Sequence, residues 1–294
     1  MAFEQTRGAL LRLEEETYHP KNWRPTILAL SGSVWNRYHL AEYGYWLAAG
    51  RGLLTFAQIV TGDVEDRVQL RERHEVRLRR FIHEHELKAF ACVVVEEDLI
   101  AGAKALLQCY GIGGVRPNTV LLGWSDDLQR LEQTGRLLRV IRDFRRSLII
   151  IKCAEGRKAW DAPSGTIDVW WNTVNNGSLA LLLAHLLRQN REFRRNPIRL
   201  MHVVEHESGR AGVTAHLNDI IRNSRIDATV EVIVGTDIPA EIRRHSRGAA
   251  VTFLGFEPPN QGEARYFSDL YRKVIEHLDT AILVRGAGDV DLEA

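Results

Sequence analysis

The spacing most suggestive of chemistry is His202-Val203-Val204-Glu205-His206, the His-x-x-Glu-His order of some zinc peptidases. That order works on a helix, where residues four apart share a face and reach one ion. Here Pro197 precedes it and Ile198-Arg199-Leu200-Met201 are strand-forming residues, so the two histidines would stand about 13 Å apart. No metal site is expected. His83-Glu84-His85 lies in a charged helical stretch and reads as a solvated face.

Nucleotide chemistry would need small residues and free amides at the carboxyl ends of parallel strands. Gly255 to Gly262 follows a strand, but Pro258-Pro259 removes amide donors. Ser31-Gly32-Ser33 and Gly123-Trp124-Ser125 end two other strands and would meet if the first and fourth strands are neighbours. They make a candidate adenosine pocket, the alternative being ordinary turn and cap residues. Arg136, Arg139, Arg142 and Arg146 recur at helical spacing and, with Arg145, form the most basic face. It is a candidate contact for lipid head groups or a membrane-facing partner, against the plainer reading of a solvated helix end. The face lacks interleaved aromatics, so nucleic acid is not an expected partner. No Gly-x-Ser-x-Gly elbow or activated nucleophile is visible, and neither catalysis nor a cofactor is expected.

The elements that must position these residues follow from periodicity. Ile167-Asp168-Val169-Trp170-Trp171 fits a strand, Asn175-Asn176-Gly177 breaks it, and Leu179, Leu182, Leu183, Leu186 and Leu187 then recur at helical steps. Arg188, Arg191, Arg194 and Arg195 crowd the far end, where cations suit the helix dipole. Pro197 stops the helix, and 198–204 is the next strand, closing a right-handed crossover between parallel strands. Alternation places Trp170 and Trp171 on opposite faces, both as core residues.

The same plan runs along the chain, with strands at 26–30, 53–60, 89–95, 119–123 and 147–152, then 166–171, 198–204, 228–234, 249–255 and 280–285. The continuously apolar 89–95 run predicts a central strand. Ser31-Gly32-Ser33 is expected to be the loop and N-cap of a helix through 49, and Gly111-Ile112-Gly113-Gly114 the left-handed end of a helix over 98–109. The fold class is α/β, as two tandem open parallel five-stranded sheets with flanking helices. Residues 1–25 form an arm, 26–153 the first subdomain, 154–165 a linker and 166–294 the second subdomain.

With 294 residues and 45% hydrophobic content the chain can bury a core without staples. Its 39 Lys and Arg against 38 Asp and Glu leave a net charge of +1, with no general attraction to nucleic acid or anionic lipid. Cys92, Cys109 and Cys153 cannot all pair and form no Cys-x-x-Cys, which implies a reducing cytosol, with Cys92 a buried and inert thiol. The most apolar helix, 178–187, is about half of the ~20 residues that cross a bilayer. Phe3 to Glu16 mixes charges with leucines, unlike a signal peptide.

Lys21-Asn22-Trp23-Arg24-Pro25 before the first strand, Pro117-Asn118-Thr119-Val120 before the fourth, and Ile167-Asp168-Val169-Trp170-Trp171 with Leu186-Leu187-Arg188-Gln189 resemble the cytosolic C-terminal domain of cation-chloride cotransporters, in the family's order over nearly the whole chain. The resemblance implies a non-enzymatic regulatory domain on the cytoplasmic side of the membrane. Its halves would be similar to universal stress proteins, and its partners a second copy of itself and the transmembrane domain that carries out electroneutral Na/K/Cl symport. The alternative is a free-standing stress-type protein that binds adenine nucleotides. That family's glycine pattern is not kept, because only eight residues separate Gly114 from Gly123 where nine are usual, and Trp124 follows in place of Ser or Thr.

Overall fold

A computed structural model describes residues 2–15, 23–154, 156, 160–161, 163–290 and 292. Within the expected arm of residues 1–25 lies an N-terminal helix, α1 (Ala2–Glu15), that buries none of its side chains. Lys21 and Asn22 of the first family-like motif lie outside the described residues, as does part of the expected 154–165 linker.

The first half runs β1 (Thr26–Leu30), α2 (Tyr38–Ala48), β2 (Leu53–Thr61), α3 (Val64–Glu84), β3 (Phe90–Glu96), α4 (Leu99–Cys109), β4 (Thr119–Gly123), α5 (Leu131–Asp143) and β5 (Ser147–Cys153). The second repeats it as β6 (Ile167–Trp170), α6 (Val174–Arg188), β7 (Ile198–Val204), α7 (Glu207–Ser224), β8 (Thr229–Val234), α8 (Ile238–His245), β9 (Val251–Gly255), α9 (Ala264–Ile275) and β10 (Thr280–Arg285). Aspartates and a threonine start several helices. Asp63 accepts from the Glu65 amide at 2.9 Å, Asp98 from Ala101 at 2.7 Å and Asp237 from Ala240 at 3.0 Å.

Both expected parallel sets of five are present, in matching orders β3-β2-β1-β4-β5 and β8-β7-β6-β9-β10. They are not two separate sheets. β5 and β10 pair antiparallel from Cys153 opposite Thr280 to Leu148 opposite Arg285, making one ten-stranded sheet. The physical reason is that two apolar edge strands satisfy each other's backbone instead of leaving buried donors and acceptors open. Helices α2, α3, α6 and α7 cover one face, and α4, α5, α8 and α9 the other, each over its own apolar core.

Across the joint, Trp46 of α2 stacks edge-on with Phe193 at 5.0 Å, and Tyr43 of the same helix, edge-on to Trp46 at 5.2 Å, donates to Thr280 Oγ1 at 3.2 Å. Truncating a side chain such as Trp46 in a core of this kind costs about 3–5 kcal/mol.

Three local expectations change. The apolar β3 is an edge strand rather than a central one, its hydrophobicity serving α3 and α4 on its two faces. Ser33 caps a single 3-10 turn, Val34–Asn36, without a side-chain bond, and the α-helix starts only at Tyr38. Tyr110 ends α4 in extended form, so Gly111 and Gly113, both at positive φ, belong to the following turn and not to the cap.

Two of the family-like motifs, those before β1 and β4, are stitches at the amino ends of the strands. Asn118 accepts from the Thr26 amide at 2.9 Å and donates to the Arg24 carbonyl at 2.7 Å, and Trp23 donates to Asp289 at 2.7 Å, tying chain start to chain end.

Candidate functional site

The carboxyl ends of the strands are where an open α/β sheet offers crevices, at the point where strand order reverses. This sheet has two such points, between β1 and β4 and between β6 and β9. Leu30 pairs with Ala57, and Ala29 with Leu121, in the first half; Trp170 pairs with Met201 and Leu254 in the second. Aligned on these strand ends, Leu28 corresponds to Asp168, Thr55 to Arg199, Ile59 to Val203, Gly32 to Asn172 and Gly123 to Gly255.

At the first crest, β1 and β4 are neighbours as the candidate adenosine pocket requires. Its residues are nonetheless committed in different directions. Gln58 of β2 donates to the Gly32 carbonyl and pairs with His74 of α3 at 3.1 Å, pinning the 31–33 loop. Trp124 donates to Asp126 at 3.0 Å and leans on Phe267 of α9, and Ser125 accepts from the Asp127 amide at 3.3 Å. Ser31 is fully buried with its hydroxyl unpartnered among the described residues. Beside Gly123 and Trp124, α5 and α9 leave a cavity of only about 30 Å³.

The second crest is more open. A crevice of about 390 Å³ lies over the ends of β6, β7 and β9, between α8 and α9. Trp170 forms its floor, with the indole N–H held by Ser246 Oγ at 2.9 Å, and Trp171 packs on the opposite face, as alternation predicts. Gly177 makes that possible, since a Cβ there would collide with the Trp171 ring. Tyr271 of α9 donates to the Gly255 carbonyl at 3.1 Å, and burial, with Glu257 adding to it, pushes its phenol up to about 12. His202 Nδ1 sits 2.8 Å from the Trp171 carbonyl, so this histidine belongs to the crevice wall. His206 lies beyond β7, at the N-cap of α7.

Beneath the crevice, Asp168 is fully buried and paired to Arg199 at 2.8 and 2.7 Å; Arg199 also reaches Glu231 at 3.1 Å and the His245 carbonyl at 2.8 Å. The Asp168 bonds raise the Arg199 pKa against the opposing effect of burial. Sequence reading missed this pair. Its signal was a carboxylate inside an apolar strand with an arginine on the next one.

The basic face is thinner than its spacing suggests. Arg139 donates to the carbonyls of Pro259 and Asn260 at 3.0 and 3.1 Å, and so ties α5 to the second half. Arg142 folds onto Asp143 at 2.9 Å. Arg146 is half-buried, where desolvation and then Arg116 push its pKa down. Arg136 and Arg145 remain exposed. His83 sits in the last turn of α3 and His85 caps it, stacked on Phe81 at 4.3 Å. Burial raises the Cys92 thiol, followed by the effect of Glu75.

Residues 37–159 match the sequence model of solute carrier family 12. Over 248 residues the chain is 29% identical to potassium/chloride cotransporter 3 of Caenorhabditis elegans, a match covering 79% of this chain. The chain is thus similar in sequence to cation-chloride cotransporters. It spans 23% of the length of that cotransporter. The cytoplasmic domain of a prokaryotic cation chloride cotransporter has the same fold, with a TM-score of 0.65 at 15% identity over 92% of this chain and 98% of that one. A universal stress protein from Archaeoglobus fulgidus also shares it, with a TM-score of 0.57 at 12% identity over 90% and 97% of the two chains. Among the described residues, no helix is long and apolar enough to cross a membrane.

Proposed function

We propose that the chain is the cytosolic regulatory and dimerisation domain of a cation-chloride cotransporter, whose membrane part carries out electroneutral Na/K/Cl symport. The observation that carries this reading is the match to the worm potassium/chloride cotransporter, which extends over 79% of the chain while spanning only 23% of that transporter. The domain would act without catalysis, by contacts that differ between two states of the transporter. The exposed Arg136 and Arg145 would supply a contact to anionic head groups.

The test is rubidium uptake in cells expressing the membrane part with and without this domain. A change in uptake or in its response to cell volume is expected; indistinguishable transport overturns the regulatory role. Light scattering at high micromolar concentration should give twice the chain mass, and a monomer removes the dimer. Arg136→Glu with Arg145→Glu should weaken sedimentation with anionic liposomes, and no binding by the unaltered chain ends that contact.

A second reading, adenine-nucleotide binding at the first crest, is favoured by the buried, unpartnered Ser31 hydroxyl at the strand reversal between β1 and β4. Calorimetry with ATP, ADP and adenosine decides it. Heat lost in Gly123→Val supports it, and no heat from the unaltered chain retires it.

A further inference from the structure

We propose that the crevice over β6, β7 and β9 binds a small, uncharged, planar aromatic molecule carrying a ring N–H or O–H donor. This does not depend on the transporter reading, because the crevice would be filled whether or not the domain regulates transport.

The crevice occupies the second strand reversal and measures about 390 Å³, within the ~300–1,000 Å³ usual for small-ligand sites. None of its lining residues carries an Asp, Glu, Lys or Arg side chain. A charged ligand would therefore lose water without gaining a partner.

Several of the polar groups that could seat an anionic tail are already engaged. At the start of α6, the Thr173 amide is taken by Asn172 Oδ1 at 2.8 Å and the Asn176 amide by Thr173 Oγ1 at 3.3 Å. The Asn176 side chain, itself buried, is spent between the Phe256 carbonyl and the Gly286 amide. Pro258-Pro259 supplies no donors after β9.

Aromatic and branched walls favour a flat apolar body: Trp170 below, Ile242 from α8, and Tyr271 and Val274 from α9. Ile238 and Leu270 stand at the rim, 52% and 41% exposed. The polar requirement comes from His202. The Trp171 carbonyl can only accept, so Nδ1 carries the hydrogen, and in the neutral ring Nε2 keeps a lone pair. That lone pair accepts a donor from the ligand.

Indole is the probe, an uncharged planar molecule with one N–H, used with this chain in calorimetry and ligand-observed NMR. Saturable binding of one indole per chain is expected, with 1-methylindole about tenfold weaker for want of one hydrogen bond. Indole-3-carboxylate should not bind. Leu270→Trp, at the exposed rim, should fill the crevice and abolish indole binding without lowering the melting temperature. His202→Phe should keep 1-methylindole binding and erase its difference from indole. The proposal is overturned by absent saturation at millimolar indole, by equal binding of the carboxylate, or by a folded Leu270→Trp that binds indole undiminished.

Discussion

The two crests stand on the same strand order and differ in what lies above them. In the first half, Gly102 of α4 faces Ile59 so closely that a Cβ would collide with it, and the helix settles onto β2. In the second, the eight-residue α8, with Pro239 in its first turn, stands over Val203, and about 390 Å³ stays open. Below, the contrast reverses. Leu28 is an ordinary apolar core residue, whereas Asp168 at the matching place is fully buried and needs Arg199. A repeated scaffold thus keeps its backbone while one copy spends its interior on packing and the other on a charge pair and a cavity.

The largest effect should come from breaking that pair. Asp168→Ala removes the fully buried partner of Arg199, leaving it Glu231 and the His245 carbonyl, and should cost about 3 kcal/mol in urea unfolding. Giving the second half the chemistry of the first, Asp168→Leu with Arg199→Thr, should recover much of it; no recovery would mean that the pair does more than occupy space. Next, Gly102→Ala should cost about 1–3 kcal/mol by overpacking Ile59, read as a lower melting temperature. An unchanged melting temperature would show that α4 is free to lift, and that the two crests differ less than the packing says.

Tyr43→Phe, which removes the hydroxyl bonded to Thr280 across the joint, should cost about 1 kcal/mol in the same assay. The smallest effect is a pH dependence carried by His185 of α6. Burial, then Arg188 and Arg51, lower the His185 pKa below its ordinary value of 6.5. The unfolded chain then binds a proton more readily, so stability present above about pH 6.5 falls as pH drops toward the lower folded value. His185→Gln should flatten that segment of a stability–pH curve.

The strands were legible because β-branched runs end at proline or glycine, and the matching orders of the two halves follow the crossover rule that Pro197 already suggested. The β5–β10 joint was not, since nothing in the Ser147–Cys153 run names its lateral neighbour. The edge position of β3 was hidden for a related reason: hydrophobicity reports coverage by helices, not hydrogen bonding at the side. Arg139 shows the limit for the basic face. Its spacing was right, but its acceptors lie 120 and 121 residues away. The open crevice was disguised as well, because His202 drew notice as a metal ligand while the gap beside it depends on how α8 sits.

The β5–β10 joint has one more consequence. Leu148, Ile149, Ile150 and Ile151 are buried on both faces and bonded along both sides. Either half made alone would bare that greasy ledge with its peptide groups unanswered, a template for stacking on its own kind. Cutting the chain near residue 160 and expressing the pieces apart should therefore yield insoluble material, while expressing them together should let each cover the other's raw side.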